Sequence, residues 1–304
     1  MWFIYAIITL LFWAIADLFY KLGAKENDKY SHLKTGIMVG LVMGIHATIY
    51  LVFNDLHLEL IDLIKYLPVS LLYIASMVIG YKGLRYLELS ISSPIQNTSG
   101  IVVSIMCLLI LKETIDPISL LAIIIITIGL VSLGFLEKKA NSQENTEDRK
   151  YKIGFVAFFI PILYCIIDSL GTFFDAYYLT LESTPLVGFT EANLELVANV
   201  SYELTFFIVA IISLVFLVIK KAKTTKTTVK NNILAAIFET IGQFCYVYAL
   251  SGNAIIAAPM VASYCVVSML LSRIFLKEKL TKKEYISLVV IIIGIIILGI
   301  VEEL

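Results

Sequence analysis

Three acidic side chains stand inside long apolar stretches of the sequence. Asp17 lies in the first stretch, Asp168 in the sixth and Glu239 in the eighth. An ionised group in the hydrocarbon region of a bilayer is costly, so such residues usually face a cavity or a polar partner. A carboxylate that faces a cavity can bind a cation or carry a proton. These three acids are therefore the candidate chemical centre of the protein.

Aromatic side chains accompany two of these acids at helical spacing. Trp13 precedes Asp17 by one turn and Tyr164 precedes Asp168 by one turn, so each pair shares a helix face. Aromatic rings attract cations through the electron-rich faces of their π-systems. The pattern favours a site for a cation or a proton. The alternative for Asp17 is an ion pair with Lys21, one turn later in the same helix.

Polar residues on the other apolar stretches complete a candidate substrate-binding or proton-coupling set. Amides and tyrosines inside a membrane can offer hydrogen bonds to a polar ligand. The full set is Trp13, Asp17, Tyr81, Gln96, Asn97, Tyr164, Asp168, Glu239, Gln243, Tyr246 and Tyr264. Pro94 and Pro259 interrupt two of the stretches, because proline removes a backbone donor and kinks a helix. We predict that these prolines are hinges, with static kinks as the alternative.

Two further polar residues are assigned outside this set. Asp175 continues the face of Asp168 but lies nearer the end of its stretch, where water can hydrate it. His46 stands alone on the second stretch, which is typical of a residue that hydrogen-bonds to a neighbouring helix. The four cysteines show no metal-ligand spacing, and the sequence contains no phosphate-binding loop motif. We therefore expect no metal and no cofactor.

The elements that position these residues are predicted to be membrane-spanning helices. The chain has 304 residues, of which 60% are hydrophobic and 15% charged, and its mean hydropathy is +0.92. Soluble domains are nearer half apolar and a quarter charged. The apolar runs are continuous rather than alternating, which argues against a β-barrel. We predict an all-α, polytopic membrane protein with ten transmembrane helices. The predicted spans are Met1–Leu22, Thr35–Phe53, Leu67–Leu87, Ser90–Leu111, Ile118–Leu136, Ile153–Thr180, Tyr202–Ile219, Ile233–Leu250, Ala254–Leu276 and Tyr285–Val301.

The two halves of the sequence repeat each other. The pairs that align at a shift of 165 residues are Tyr81 with Tyr246, Pro94 with Pro259, and Leu111-Lys112-Glu113 with Leu276-Lys277-Glu278. Asp17 aligns with Asp168 at a shift of 151 residues. We therefore predict a first five-helix repeat over residues 1–136, a polar cytosolic linker over 137–152, and a second repeat over 153–304.

Loop charges predict the orientation. Of the 23 Lys and Arg residues, 21 lie in the odd-numbered connections or at the ends of the spans that flank them. The positive-inside rule then places those connections in the cytosol and both termini on the non-cytoplasmic side of the cell membrane. An odd number of spans in each half makes the halves antiparallel, which is the inverted repeat of many secondary transporters. The segment Leu181–Ser201 is expected to lie outside the cell, before the seventh span.

These features resemble the drug/metabolite transporter superfamily, EamA type. The resemblance rests on two five-helix repeats, an acid in the first helix, and a proline in the fourth helix of each half followed by Leu-Lys-Glu. In that family this segment closes the fourth helix of each repeat, which corresponds here to Glu113 and Glu278. The resemblance covers nearly the whole chain and names no substrate. Members usually have cytoplasmic termini, whereas the loop charges here predict the reverse.

The sequence thus predicts a secondary-active transporter of a small polar or cationic metabolite, such as an amine or an amino acid. It would work by alternating access, coupled to protons or to exchange, as a monomer or homodimer in a lipid bilayer. The net charge of −1 gives no basic field for nucleic acid. Alternatives are a flippase for a lipid-linked sugar or head group, a passive channel, and an intramembrane aspartyl protease built on Asp17 and Asp168. The last lacks the expected sequence context, so we expect no enzymatic activity.

Overall fold

The computed structural model describes residues 1–25, 27–54, 58–143 and 155–303, and within these ranges the regular structure is entirely helical. Eleven α-helices follow each other along the chain. They are α1 Trp2–Gly23, α2 Ser31–Phe53, α3 Leu60–Gly83, α4 Leu89–Gln96, α5 Ser99–Met106, α6 Pro117–Gln143, α7 Phe155–Tyr178, α8 Glu191–Ile219, α9 Lys226–Ala262, α10 Tyr264–Leu271 and α11 Lys282–Glu303.

The prediction of an all-α, polytopic membrane protein is confirmed. Eight segments of the described chain are long and apolar enough to cross a bilayer. One of them, Lys226–Leu276, has 51 residues and contains a non-helical residue, Asn253, between the predicted eighth and ninth spans. The helix Pro117–Leu133 is apolar but shorter. A count of ten spans therefore stays a prediction.

The helices keep one apolar face for lipid and one for the protein interior. In α11, Leu288, Ile291 and Leu298 are at most 2% exposed. Ile286 and Ile300, on the opposite face, are 65% and 56% exposed. This two-faced pattern at helical spacing is what a helix between lipid and a protein core requires.

Packing pairs the helices of the two halves. α1 runs along α9, and α3 runs along α7, while α2 packs on α8 and α6 on α11. The last contact is reciprocal: a Cβ on Gly129 would lie 2.4 Å from Ile291, and one on Gly294 would lie 2.6 Å from Ile126. Both partners differ by the same 165 residues that align the sequence halves. The halves therefore interlock along their length.

Successive connections lie on alternate faces of this bundle. Arg85, after α3, donates to the carbonyls of Lys25 and Lys29 after α1, so these two basic connections share a face. Ser251, at the break in α9, donates to Glu195 near the start of α8 on the other face. We call the side with residues 24–25, 27–30, 84–88, 220–225 and 277–281 the basic face, and the side with Glu195 and Ser251 the charge-poor face.

Several predicted boundaries differ from the structure, among them the starts of α3 at Leu60 and α9 at Lys226, each seven residues before the predicted span. α8 begins at Glu191, so half of the segment Leu181–Ser201 is helical and belongs to the seventh span. Its acids, Glu191 and Glu195, lowered the apparent hydropathy and hid the helix start. α6 continues to Gln143, into the predicted linker, and residues 144–154 lie outside the described part of the chain.

Candidate functional site

A cavity lies between the two halves. Its wall contains every residue of the candidate substrate-binding or proton-coupling set. Those residues are Trp13, Asp17, Tyr81, Gln96, Asn97, Tyr164, Asp168, Glu239, Gln243, Tyr246 and Tyr264. The helical spacing that selected them thus brings them to one place, while their roles in binding or coupling stay predictions.

Asp17 is held by one helix from each half. Its Oδ2 accepts hydrogen bonds of 2.9 Å from the hydroxyl of Ser93 in α4 and of 2.9 Å from that of Ser268 in α10. Within the described chain, no hydrogen bond reaches Oδ1. Lys21 instead donates to the backbone carbonyls of Leu84 and Leu87. Both hydroxyl groups thus bind the same oxygen of Asp17.

Asp168 is held in the same manner by hydroxyl groups. Ser76 donates to its Oδ1 at 3.2 Å, and Ser99 donates to its Oδ2 at 2.8 Å. The serines come from α3 and α5, both in the first half, whereas Asp168 is in the second. Hydroxyl donors orient a carboxylate without neutralising its charge.

Glu239 ends a short chain of phenol groups. Tyr81 donates to the hydroxyl of Tyr20 at 3.1 Å, and Tyr20 donates to Glu239 Oε2 at 3.1 Å. These three residues lie on α3, α1 and α9. The chain binds one oxygen of Glu239, whose side chain lines the cavity.

Aromatic rings form much of the cavity wall. Trp13 packs against Tyr246 and Tyr264, with ring centroids 4.7 and 5.8 Å apart. Tyr20 and Tyr81 pack at 4.6 Å. A cation in the cavity would meet both carboxylate oxygens and ring faces.

The cavity carries charge of one sign. None of the described residues that line it is Lys, Arg or His, whereas three are carboxylic acids. Two buried donors, Trp13 Nε1 and Gln96 Nε2, have no hydrogen-bond partner among the described residues. Unpaired donors of this kind can serve a polar group of a bound ligand.

The two prolines lie beside breaks in their helices. Pro94 is in α4, which ends at Gln96, and Pro259 is in α9, which ends at Ala262. Each break leads into a further helix, so both spans are segmented at equivalent positions. The role of the prolines as hinges stays a prediction.

The expectation of a hydrated Asp175 is wrong. Its side chain is 0% exposed and accepts hydrogen bonds from Tyr66 and, at 3.2 Å, from Tyr73. Tyr73 lines the cavity, whereas Asp175 lies behind the wall. The tyrosines of α3 pack over this acid, and sequence spacing within one helix cannot show such a contact.

His46 is an interhelical hydrogen-bonding residue, as predicted. Its Nδ1 lies 2.8 Å from the carboxylate of Glu203 on α8, which is 0% exposed. Sequence reasoning missed Glu203, and it also missed the serines that hold the aspartates. Hydroxyl side chains are common in membrane helices, so only the packing of neighbouring helices identifies these.

Among the residues that the structure describes, no group of three or more His, Cys, Asp or Glu could hold a metal ion. All four cysteines are free. The site therefore consists of acids, hydroxyls, amides and aromatic rings.

Comparisons with known proteins agree with this architecture. The sequence profile of the EamA-like transporter family matches residues 1–135 and 198–300. An uncharacterised protein of Methanocaldococcus jannaschii is 30% identical over 148 residues, which is 47% of this chain and 96% of that protein. A crystal structure with 11% sequence identity superposes with a TM-score of 0.67, over 98% of this chain and 96% of the other, and shares its fold. The chain therefore belongs to the EamA-like transporter family.

Proposed function

We propose that this membrane transporter carries small organic cations by alternating access of its two halves. The observation that carries the proposal is the composition of the central cavity, where three carboxylic acids meet no described basic side chain. Family membership makes the protein a transporter, and the cavity chemistry supports the substrate class.

Charge is the main argument for a cation. A charged ligand that enters a low-dielectric space loses its hydration and needs a compensating partner. The carboxylates of Asp17, on α1, and of Glu239, on the neighbouring α9, both line the cavity and can provide it. An anion would find no described counter-charge there. An anionic lipid-linked sugar is for this reason a poor fit to the cavity.

The wall of the cavity favours a small metabolite. Small-molecule sites are typically lined by apolar and aromatic side chains with a few placed polar groups. The rings of Trp13, Tyr246 and Tyr264 and the amides of Gln96 and Asn97 give the cavity such a wall. Amines that also carry a hydrogen-bond acceptor would satisfy the free donors of Trp13 and Gln96.

Alternating access is supported by the position of the cavity between interlocked halves. Asp17 is bound by serines from both halves, so relative movement of the halves changes its surroundings. The same acids offer sites for a proton, which suits proton-coupled or exchange transport. With the basic connections on one face, the positive-inside rule supports non-cytoplasmic termini in a cell membrane.

Thermal unfolding of the purified protein with paired ligands tests the substrate class. Each pair shares one carbon skeleton and differs in charge, for example tyramine against 4-hydroxyphenylacetate and cadaverine against glutarate. A bound ligand stabilises the folded state by about 2.7 kcal/mol at 100 times its Kd. We expect stabilisation by one or more amines and none by their carboxylate partners. Stabilisation by carboxylates alone, or by no amine, would contradict the proposal.

Counterflow in proteoliposomes tests the mechanism with the best amine of that screen. A carrier that alternates exchanges labelled external amine for unlabelled internal amine, so internal amine accelerates uptake. A passive channel shows no such acceleration. An uptake rate that does not depend on internal amine would contradict alternating access.

A further inference from the structure

The glutamate of one Leu-Lys-Glu segment caps a helix of the opposite half. Glu278 follows the ninth span, and its Oε1 and Oε2 accept hydrogen bonds from the N–H groups of Leu89 at 3.2 Å and Ser90 at 3.0 Å. These are the first residues of α4, whose N–H groups have no partner within the helix. A carboxylate there also interacts favourably with the helix dipole. Glu278 thus ties the two halves together on the basic face.

Glu113 occupies the equivalent place on the other face. Its carboxyl interacts with the N–H of Ile255, and Ile255 stands 165 residues after Ser90, as Glu278 does after Glu113. Ile255 begins the second part of α9, just after the break at Asn253. Burial raises the pKa of Glu113 above its ordinary value, and the contact with the Ile255 N–H lowers it in part. The two glutamates therefore form a reciprocal pair.

The backbone has the same conformation immediately before Glu113 and Glu278. Each follows a π-helical turn, Cys107–Leu111 or Ser272–Leu276, and then a lysine in the left-handed region. The values of φ are 56° at Lys112 and 60° at Lys277. Non-glycine residues adopt this conformation rarely, and it concentrates at functional positions. The same unfavourable backbone conformation precedes both glutamates. This argues that the direction in which their side chains point has a function.

A solvent-open cavity of about 880 Å³ lies against Glu113 on the charge-poor face. It also touches Ala176 of α7 and Leu250 of α9, whereas Thr172 and Tyr246, one turn deeper, line the central cavity. One helical turn, about 5.4 Å, therefore separates the two spaces along each helix. Little protein has to move for the central cavity to open at this face.

We propose that Glu113 and Glu278 are positioning residues that act as two latches, each keeping the central cavity closed at its own face. The proposal rests on alternating access: opening toward one face releases the latch there while the other stays bound. Loss of a latch leaves unpaired N–H groups at one junction between the halves and loosens only that face. The two variants should therefore shift access in opposite directions.

A cysteine reporter in the central cavity tests this. Met77 lines the cavity and is outside the candidate site set, so Met77→Cys supplies the thiol. A membrane-impermeant thiol reagent is added to right-side-out and to inside-out membrane vesicles, and the protein without Met77→Cys gives the background of the native cysteines. The measured quantity is the ratio of labelling rates from the two faces.

We expect Glu278→Ala to raise labelling from the basic face about fivefold relative to the other face. Glu113→Ala should raise labelling from the charge-poor face by a similar factor. Where an alanine variant fails to fold, the glutamine variant decides, with a smaller shift in the same direction. Glu195→Ala is the matched control on the charge-poor face, since Glu195 accepts a hydrogen bond there from Ser251 of its own half, and it should leave the ratio unchanged.

The labelling results distinguish a failure of the latch proposal from a failure of alternating access. A reporter that is reached from only one face in every variant contradicts alternating access itself. A reporter reached from both faces, with equal ratios in all variants, overturns the latches alone. Shifts in the same direction for both glutamates also overturn them, because a merely structural role weakens both faces alike.

Discussion

Replacing Asp17 by asparagine should weaken binding of an organic cation without disturbing the fold. Asparagine has the same shape, and its side-chain oxygen can still accept the hydroxyls of Ser93 and Ser268, each now 2.9 Å from Asp17 Oδ2. The negative charge is lost, and an NH2 group that can only donate replaces the free oxygen. The substitution thus separates electrostatic binding from packing.

The expected loss in binding free energy follows from the one carboxylate oxygen of Asp17 that could bind the cation. A hydrogen bond to a charged group contributes about 1.5–3 kcal/mol. Asp168 and Glu239 remain in the cavity and keep part of the attraction. We therefore expect a loss of about 2–3 kcal/mol in binding free energy, which is roughly a 30- to 150-fold rise in Kd.

Titration calorimetry with the best amine of the ligand screen measures this change. Asp175→Asn is the matched control, because Asp175 is also a buried aspartate bound by two hydroxyls but lies behind the cavity wall. We expect it to change Kd less than about threefold. A folded Asp17→Asn protein with unchanged Kd, or equal losses in both variants, would refute the electrostatic argument.

Two further predictions concern stability. Gly40→Ala places a Cβ 2.5 Å from the carbonyl oxygen of Phe206, so α2 and α8 must separate, and we expect a loss of about 1–3 kcal/mol in the free energy of unfolding. Gly36→Ala, with no atom nearer than 3.8 Å, should be neutral or stabilising in the same detergent unfolding assay, and equal losses for both would contradict the packing argument. Asp116, just before α6, accepts hydrogen bonds from the backbone N–H groups of Ser119 at 2.8 Å and Ile118 at 2.9 Å, and its contacts with these residues hold its pKa below the ordinary 3.8. Its contribution to stability should be present above that pH and lost below it, and Asp116→Asn should remove this dependence in unfolding measured from pH 6 to 3.

Sequence reasoning found the acids and aromatic rings because helical spacing alone places them on common faces. Asp17 and Asp168 could be paired through the repeat, and both line the cavity. The serines that hold them could not be found, since each contact joins two helices distant in sequence. Glu203 stayed hidden for the same reason: its partner His46 lies on another helix.

Helix ends were harder to predict than helix faces. The break at Asn253 falls beside Gly252, between the predicted eighth and ninth spans, whereas the acids near the start of α8 hid the beginning of that helix. The alignment of the two halves, including Glu113 with Glu278, could be read from the sequence. Which backbone N–H groups these two glutamates contact depends on which helix ends meet. That information exists only in the packing of the two halves.

A comparison of two thiol reagents of opposite charge tests most directly whether the cavity is a water-accessible, negatively charged space. Met77→Cys protein is treated with a cationic ethylammonium and an anionic ethylsulfonate methanethiosulfonate, each rate divided by that for a free thiol in solution. We predict that the cationic reagent reacts about tenfold faster or more, equivalent to roughly 1.4 kcal/mol of attraction. Equal rates, a faster anionic reagent, or no reaction with either would contradict the account.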